Sequence, residues 1–177
     1  MAKGLFAFAC ITIICSIAPA KAEPESSSAA EYAVKAAYIY NILRFVSWDE
    51  SSPLARSETL NICLFKKDPF NRNLDPIRKK SIGNKQIKLR TIDDHSQSAS
   101  CHLIFISNGN FDKDKIIHSD SILLGNDIEF VKNGVLFSFY IEGNKVKLGA
   151  NRTAIDKTEL NISALLLEVC EIYGERQ

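Results

Sequence analysis

The hydrophobic pattern of the chain alternates one long apolar segment with several short apolar runs. The segment Glu31–Ser47 has helical length and is apolar around most of its circumference, so a domain core or a partner must cover it. Runs of the buried-strand type follow at residues 60–65 and 101–106. An alternating run at residues 86–92 predicts a strand with one solvated face. Strands that alternate with helices predict a parallel sheet covered on both faces.

Shorter elements are predicted between and after these runs. A helix is predicted to begin at Asp68–Pro69, and Gly143–Asn144 joins two strand-like runs in the manner of a β-hairpin. The last segment, residues 152–173, is predicted as helix broken near residue 160, with Asn161 as an N-cap. Further helical turns or strands are predicted at 111–118, 121–124, 127–132, 135–141 and 145–148. The fold class is therefore α/β: layered helices around a central, mostly parallel sheet with a C-terminal antiparallel hairpin.

The first 22 residues have the organisation of a secretory signal peptide. Lys3 gives a charged start, an apolar run follows, and Ala20-Lys-Ala22 supplies a small-x-small cleavage pattern. The apolar run of about 14 residues is shorter than the roughly 20 needed to span a bilayer, although an uncleaved anchor is an alternative. We therefore expect a signal peptide at 1–22, a flexible linker at 23–30 and one domain at 31–173, exported and not inserted in the membrane after processing.

Charge argues against nucleic acid as a partner. The chain has 22 basic and 21 acidic residues, and cleavage after Ala22 removes two of the basic ones, so the mature chain is close to neutral. A nucleic-acid-binding domain is expected to show a clustered excess of positive charge. The one basic cluster, Arg78-Lys79-Lys80, is interpreted as a solvated helix end and turn.

Cysteine usage predicts one disulfide bond. The mature chain keeps Cys63, Cys101 and Cys170, and in an oxidising compartment two of three cysteines are expected to pair. Cys63 and Cys101 lie in the two buried-strand runs, so their pairing is favoured. The alternative is that all three are small buried hydrophobic residues. Cys170 is predicted to be a free, buried thiol on the apolar face of the last helix.

Known catalytic and metal-binding patterns are missing from the sequence. It contains no phosphate loop, no Gly-x-Ser-x-Gly, no His-Glu-x-x-His and no Cys-x-x-Cys. Cys101 and His102 are neighbours on a strand, so they point to opposite faces and cannot form a nucleophile–base pair. His95, beside two aspartates, is interpreted as part of a polar loop. We predict no catalytic residue, no metal and no cofactor.

The opening helix carries four residues that a core helix alone does not explain. Asn41 and Arg44 share one narrow strip of its helical wheel, and Trp48 ends the segment. Lys35 stands among apolar side chains, so either it extends to water or an acidic residue meets it. Lys35, Asn41, Arg44 and Trp48 are therefore candidates for a site or an interface.

An ordered set of motifs along the mature chain resembles the YfiR family of small periplasmic proteins, which includes HmsC-like members. The segments that carry the resemblance are Lys35–Trp48, Leu60-x-Ile-Cys63, Pro69-Phe70, Cys101-His-x-Ile-Phe-Ile106, Gly125-Asn-Asp127 with Phe130, Gly143-Asn144 with Val146, and Leu160-x-Ile-Ser163 with Leu166-Leu167. They cover nearly the whole mature chain in order.

The resemblance implies a periplasmic repressor of the YfiR type. Such a protein binds the periplasmic sensor domain of an inner-membrane diguanylate cyclase and lowers cyclic di-GMP and biofilm formation. It also implies an α/β fold, a homodimer, and a long-range disulfide that carries over onto Cys63 and Cys101. An OmpA-like outer-membrane lipoprotein is a further expected partner. The chain departs from the family in lacking a second cysteine pair, because Cys170 is alone.

The hairpin is a second candidate surface for binding a partner. Its apolar residues could supply an exposed patch, although alternation must turn half of them towards the core. The candidates there are Phe137, Phe139, Tyr140 and Ile141.

Two other classes of function are open at this point. One is a periplasmic small-ligand-binding module that works with an outer-membrane receptor or sensor kinase. Its ligand would lie at the strand ends, with Arg44, Asn108 or Arg152 as anion contacts. The other is an exported enzyme of unrecognised type, for which no nucleophile or acid–base pair stands out.

Overall fold

The computed structural model describes residues 25–108, 110–117 and 120–174, with side chains from residue 28 onward. The predicted signal peptide lies outside these ranges. Among the helices within them, none combines the length and the hydrophobicity that a bilayer crossing requires.

The first helix, α1, spans Glu25–Phe45 and begins inside the stretch that was predicted as a linker. Its apolar residues recur at helical spacing, so they form one buried stripe against the sheet. The buried residues of this stripe, with the residue that follows the helix, are Ala36, Ile39, Ile42, Leu43 and Val46. Most of the apolar residues in the opening segment are therefore part of the core.

Among the described residues, ten strands and four shorter helices follow α1. In chain order the strands are β1 (Val46–Ser47), β2 (Thr59–Phe65), β3 (Ser81–Ile82), β4 (Lys85–Ile92), β5 (Leu103–Ile106), β6 (Ile122–Gly125), β7 (Phe137–Glu142), β8 (Lys145–Asn151), β9 (Asn161–Ile162) and β10 (Cys170–Tyr173). The helices are α2 (Asp75–Arg78), α3 (Ile128–Lys132), α4 (Arg152–Lys157) and α5 (Ala164–Leu167), with 3-10 turns at His95–Ser100 and Lys113–Lys115.

Eight of these strands form one sheet in the order β10-β8-β7-β6-β5-β2-β4-β3. Neighbours from β7 to β4 pair in parallel, as do β8 and β10. Only the β7–β8 hairpin and the β3–β4 pair are antiparallel. The predicted α/β class with a mostly parallel sheet and a C-terminal hairpin is confirmed. The short strands β1 and β9 form a separate antiparallel pair.

The sheet has two differently covered faces. Alternate strand residues such as Leu64, Phe105 and Phe139 pack in the same core as α1, and we call this side the helix face. The other side carries a second cluster that includes both Cys63 and Cys101, and we call it the disulfide face. Loops, 3-10 turns and α3 cover that side instead of a long helix.

Of the predicted C-terminal helix, the part before residue 160 forms α4 at Arg152–Lys157, but the prediction of a helix after residue 160 was wrong. Residues 161–162 and 170–173 are strands, and the only helix between them is the single turn α5, which Ser163 caps by accepting from the N–H of Leu165. Pairing of β10 with β8 satisfies backbone groups that β8 would otherwise expose at the sheet edge, and this outweighs the helical spacing of the leucines. The hairpin is therefore not the edge of the sheet.

Two shorter helix predictions were also too long. Asp68 accepts from the N–H of Phe70 in a turn, and α2 begins only at Asp75, with Pro76 in its first turn where a missing N–H costs nothing. Within the predicted helix at 111–118, the described residues contain one 3-10 turn at Lys113–Lys115.

Candidate functional site

Lys35 is an internal anchor of α1. It is 2% exposed, and its Nζ donates to Oδ1 of Asn126 at 2.7 Å and pairs with the carboxylate of Glu31. The ring of Tyr32 lies 4.7 Å from the same nitrogen, and that of Phe139 lies 5.9 Å away. An acidic residue meets the lysine, which is one of the two arrangements predicted. The contact fixes the first half of α1 to the loop after β6, and the lysine itself lies below the surface.

Trp48 packs at the amino-terminal ends of the parallel strands β5 and β6. Its Nε1 donates to the carbonyl of Asp120 at 2.8 Å, and its ring meets the ring of His102 edge-on at 5.0 Å between centroids. Nδ1 of His102 accepts from the N–H of Asn61 and its Nε2 is 2.9 Å from the carbonyl oxygen of Leu54. Burial lowers the pKa of His102, so the neutral ring serves as a structural connector.

The predicted disulfide between Cys63 and Cys101 is present and joins β2 to the start of β5. Cys170 is a free thiol, but it lies on β10 and not on a helix as predicted. Its Sγ lies 3.2 Å from the carbonyl oxygen of Leu166, and burial raises its pKa to about 12. A thiol with that pKa is a poor nucleophile at neutral pH, because the thiolate is the reactive form.

The hairpin candidates divide between core and surface. Phe137 and Phe139 are fully buried under α1, because alternate residues of β7 point to the helix face, so neither belongs to an exposed patch. Ile141 is 51% exposed, and the hydroxyl of Tyr140 donates to the carboxylate of Glu171 across β8. Of the four candidates, Tyr140 and Ile141 are the ones that a partner can reach.

A groove lies where the end of α1 meets the C-terminal segment, and we call it the C-terminal groove. The pairing of β1 with β9 and a hydrogen bond from the N–H of Ser163 to the carbonyl of Phe45 bring the two segments together. The groove has a volume of about 600 Å³. Its apolar lining consists of Phe45, Val46, Ile155, Leu160, Ile162 and Leu167.

Arg44 is the charged member among the described residues that line the C-terminal groove. Its guanidinium carbon lies 5.9 Å from the ring centroid of Tyr40 and 5.8 Å from that of Phe45. The aromatic rings hold the cation at the groove while it stays exposed. Asn41 is also exposed on α1 but borders a separate hollow beside α2.

An apolar ridge stands beside the C-terminal groove. Leu165 is 61% exposed, Val169 is 59% exposed, and Ile172 is also exposed. These three residues, the C-terminal ridge, are half of the six large apolar side chains that the described part of the chain exposes. Such a concentration is typical of an interaction surface. The sequence analysis did not identify it, because the segment was assigned to the last helix.

A larger cavity, of about 750 Å³, lies at the opposite side of the sheet near the end of β5. It contains Asn108, one of the three anion contacts that the ligand-module hypothesis named. Arg44 lies at the C-terminal groove, and Arg152 pairs with Asp156 at 3.1 Å on α4. The structure therefore does not bring the three predicted anion contacts together.

Metal chemistry finds no support among residues 25–108, 110–117 and 120–174. No three His, Cys, Asp or Glu side chains in those ranges are grouped so that they could hold a metal ion. His95, which the sequence analysis assigned to a polar loop, is the first residue of a 3-10 turn. The centroid of its tilted ring lies 4.9 Å from that of Phe65 and 5.1 Å from that of Phe111.

Comparison with known proteins identifies a family. A protein-family model described as YfiR/HmsC-like matches residues 32–171, from within α1 to within β10. No curated protein is similar enough to the chain to count as a match. The matched range includes the disulfide, the C-terminal groove and most of the C-terminal ridge.

Proposed function

This chain belongs to the YfiR/HmsC-like family of periplasmic regulators, and from that premise we propose that it represses an inner-membrane diguanylate cyclase by binding the periplasmic sensor domain of that enzyme. Repression lowers cyclic di-GMP and, with it, biofilm formation. The observation that carries the proposal is the family match across residues 32–171. The Cys63–Cys101 disulfide supports the oxidising compartment that the proposal requires.

The proposed mechanism is stoichiometric. The protein binds the sensor domain more tightly in its inactive state than in its active state, and this difference in affinity shifts the equilibrium of the cyclase. A hundredfold preference for the inactive state changes the ratio of the two states a hundredfold, or about 2.7 kcal/mol. No chemical step on this chain is needed.

We propose that the C-terminal groove and the C-terminal ridge bind the sensor domain. Exposed apolar side chains on the ridge provide area that a partner can bury, and the groove provides an apolar slot. Arg44 adds a cation held between aromatic rings, and arginine is a frequent anchor at interfaces. The complementary segment of the partner is therefore expected to be apolar with a carboxylate placed to meet Arg44.

Two further partners are part of the proposal. A second copy of the chain and an OmpA-like outer-membrane lipoprotein are expected from the family. Each of them either competes with the cyclase for the C-terminal groove and ridge or binds elsewhere on the chain. Competition between the lipoprotein and the sensor domain for the C-terminal groove would release the cyclase from repression. Tyr140, Ile141 and Asn41 lie outside the groove and are candidate contacts for the second copy.

The decisive experiment compares cyclic di-GMP in a strain that lacks the gene with the same strain complemented by variants. Deletion should raise cyclic di-GMP and matrix production, and the unmodified chain should restore both. Leu165→Glu and Arg44→Glu should fail to restore them, because each places a negative charge on the proposed binding surface. Both residues are exposed, so the substitutions leave the core intact. Direct binding to the purified sensor domain should weaken in parallel, by tenfold or more.

Ile117→Glu is the matched control, because Ile117 is 51% exposed but lies on the other side of the molecule, after the Lys113–Lys115 turn. It should repress like the unmodified chain. Unchanged cyclic di-GMP in the deletion strain would refute the repressor function. Normal repression by folded Leu165→Glu and Arg44→Glu variants would refute only the assignment of the surface.

A further inference from the structure

The edge of the sheet formed by β3 and its neighbour β4 carries a strong concentration of positive charge. Six of the 22 basic residues and none of the 21 acidic residues fall within residues 76–92, although the whole chain is nearly neutral. The remainder of the chain therefore has an excess of acidic residues, and the molecule is electrostatically polarised. We call the six cations the basic edge: Arg78, Lys79, Lys80, Lys85, Lys88 and Arg90.

Antiparallel pairing adds the cations of β4 to the cluster Arg78-Lys79-Lys80 that stands out in the sequence. The short strand β3 pairs antiparallel with β4, and the N–H of Ile87 donates to the carbonyl of Lys80 at 3.1 Å just before β3 begins. Lys79 and Lys80 therefore lie beside Lys88 on the neighbouring strand. Like charges on neighbouring strands repel one another, so this arrangement is unfavourable in the isolated chain and favours a bound anion.

Four of the six cations are exposed and have no acidic partner among the described residues. Arg78, Lys79, Lys80 and Lys88 are exposed, and none of them takes part in an ion pair within the part of the chain that the structure describes. Lys80 has an aromatic contact instead, since its Nζ lies 4.4 Å from the ring centroid of Tyr40. These four side chains are available to an anion from outside.

The other two cations of the basic edge are held by neutral groups of the fold. Nζ of Lys85 donates to the carbonyl oxygen of Ala55. The guanidinium of Arg90 donates to Oγ of Ser100 and to the carbonyl of Gln97, each at 2.8 Å. Because all of these acceptors are uncharged, both residues add their charge to the positive field of the edge.

Acidic residues near the basic edge do not neutralise it. Asp75, one residue before the segment, pairs with Arg72 at 3.3 Å. Asp93 and Asp94 follow β4 at its carboxyl end, where Asp94 caps a 3-10 turn. Glu58, which precedes β2, is exposed and forms none of the ion pairs found among the described residues. The positive field therefore faces solvent.

An anionic lipid surface fits the basic edge better than a protein or a nucleic acid does. A stable protein interface has a buried apolar centre, and none of the large apolar side chains that the described residues expose lies within residues 76–92. The segment also contains no aromatic residue on which a nucleic-acid base could stack. Attraction to anionic headgroups requires neither feature, because it depends on the number of Lys and Arg side chains near the lipid.

We propose that the basic edge binds the surface of a membrane that contains anionic phospholipids, with Arg78, Lys79, Lys80 and Lys88 among the headgroup phosphates. The contact is peripheral, and the acidic remainder of the chain faces away from the lipid. The edge lies at the β3 end of the sheet, whereas Ile172 of the C-terminal ridge lies at the β10 end, so a membrane-bound chain still presents the ridge. The inference goes beyond cyclase repression and does not depend on it.

Cosedimentation with vesicles tests the proposal. The chain without residues 1–22 is used, because the apolar run of the predicted signal peptide would bind any bilayer. At about 0.1 M salt, vesicles of equal parts phosphatidylglycerol and phosphatidylcholine should bind the chain, and vesicles of phosphatidylcholine alone should not. At about 1 M salt, where the Debye length is about 3 Å, the protein should be released. No binding to the anionic vesicles, equal binding to the neutral ones, or binding that salt does not reverse would each overturn the proposal.

A double substitution locates the contact. Lys79→Gln with Lys88→Gln removes two neighbouring exposed charges and should weaken partitioning to the anionic vesicles about 25-fold, or about fivefold for each charge. Lys145→Gln with Lys147→Gln is the matched control, because it lowers the net charge equally on the exposed hairpin. It should change partitioning less than about twofold, since charges farther than a Debye length from the lipid are screened. Equal losses in the two variants would refute the basic edge as the contact.

Two further measurements separate the lipid contact from other partners. A short DNA duplex should bind more weakly than the vesicles at equal phosphate concentration, because lipids diffuse to the cations whereas the phosphates of a duplex are fixed in spacing. Tighter binding to the duplex would assign the edge to nucleic acid and overturn the proposal. The Lys79→Gln, Lys88→Gln chain should bind the purified sensor domain as tightly as the unmodified chain. A loss of that binding would make the edge part of the repressor surface and would also overturn the proposal.

Discussion

The two faces of the central sheet are closed by different means. On the helix face, the 21 residues of α1 supply a continuous apolar stripe that packs on strands from β2 to β8. On the disulfide face, the cover consists of two 3-10 turns, loops and the five-residue α3, and a covalent bond joins β2 to the start of β5 beneath them. The long helix stabilises its face of the sheet by packing. The short elements on the other face bury less apolar surface, so the disulfide contributes to holding the strands together there.

The difference follows from how short elements are stabilised. A helix of one or two turns has too few internal hydrogen bonds to persist by itself, so it depends on its tertiary contacts. The cover of the disulfide face also leaves the 750 Å³ cavity open between its pieces. The face with the weaker cover is thus the one with space for a small molecule. On the helix face, the surface that we propose for the partner lies at the margin, at the C-terminal groove.

Removal of the disulfide is the largest expected loss. Cys63→Ala with Cys101→Ala should lower the free energy of unfolding by about 4 kcal/mol, since the bond closes a loop with a sequence separation of 38 residues. Urea unfolding of the mature chain measures this, and reduction of the unmodified chain should give a similar value. A loss below about 1 kcal/mol would mean that packing alone holds the disulfide face and would remove the contrast between the faces.

Truncation inside the α1 stripe should be nearly as costly. Ile39 is fully buried, and Ile39→Ala should lower the free energy of unfolding by about 3 kcal/mol through lost burial and a residual cavity. Val34→Ala is the control on the exposed side of the same helix and should change it by less than about 0.5 kcal/mol.

The Ile39→Ala experiment sharpens the comparison when it is repeated in the chain without the disulfide. The two faces lie on opposite sides of the sheet and share no partner, so the two losses should add within about 0.5 kcal/mol. A larger coupling would show that the disulfide also positions the strands under α1.

The sequence predicted those features that depend on local pattern. The strands at 59–65, 85–92 and 103–106, the hairpin and the Cys63–Cys101 pair all follow from apolar runs, turn residues and the predicted compartment. For Lys35 the sequence left two arrangements open, extension to water or an acidic partner, and Glu31, one turn earlier on α1, supplies the acidic partner.

The features that the sequence could not predict depend on contacts between distant segments. Ile162, Leu166 and Val169 have helical spacing, so only the pairing of β10 with β8 reveals that residues 170–173 are a strand. The C-terminal groove depends in the same way on the pairing of β1 with β9. Ser107 and Asp127 lie twenty residues apart, and no spacing rule indicates that they line one cavity.

The Lys35 anchor should respond unequally to loss of its two members. Glu31→Ala leaves a buried ammonium with Asn126 alone and should lower the free energy of unfolding by about 2 kcal/mol, a value reduced from that of a fully buried pair because Glu31 is partly exposed. Lys35→Met leaves Glu31 free to meet water and should cost less than about 1 kcal/mol. Equal losses, measured by urea unfolding, would contradict the burial of the lysine.

Cys170 has the smallest expected effect on stability at neutral pH, and it distinguishes the faces chemically. It packs against the core of the helix face, so the sheet separates its thiol from the disulfide. With its pKa raised from 9.0 to about 12, the native thiol is far less ionised at pH 8 than an unfolded one and should react with a thiol reagent hundreds of times more slowly. The control is the same reaction measured on the chain unfolded in urea.

The pH dependence of stability gives the same thiol an independent test. Below pH 9 both states hold the proton, so Cys170 adds no slope there. Between pH 9 and about 12 the unfolded state loses the proton while the native state keeps it, so the free energy of unfolding should fall as pH rises. Cys170→Ala should remove that part of the slope. If the slope between pH 9 and 11 is the same in the variant, the thiol is not held in the apolar environment that β10 and α5 provide, and its pKa is not raised.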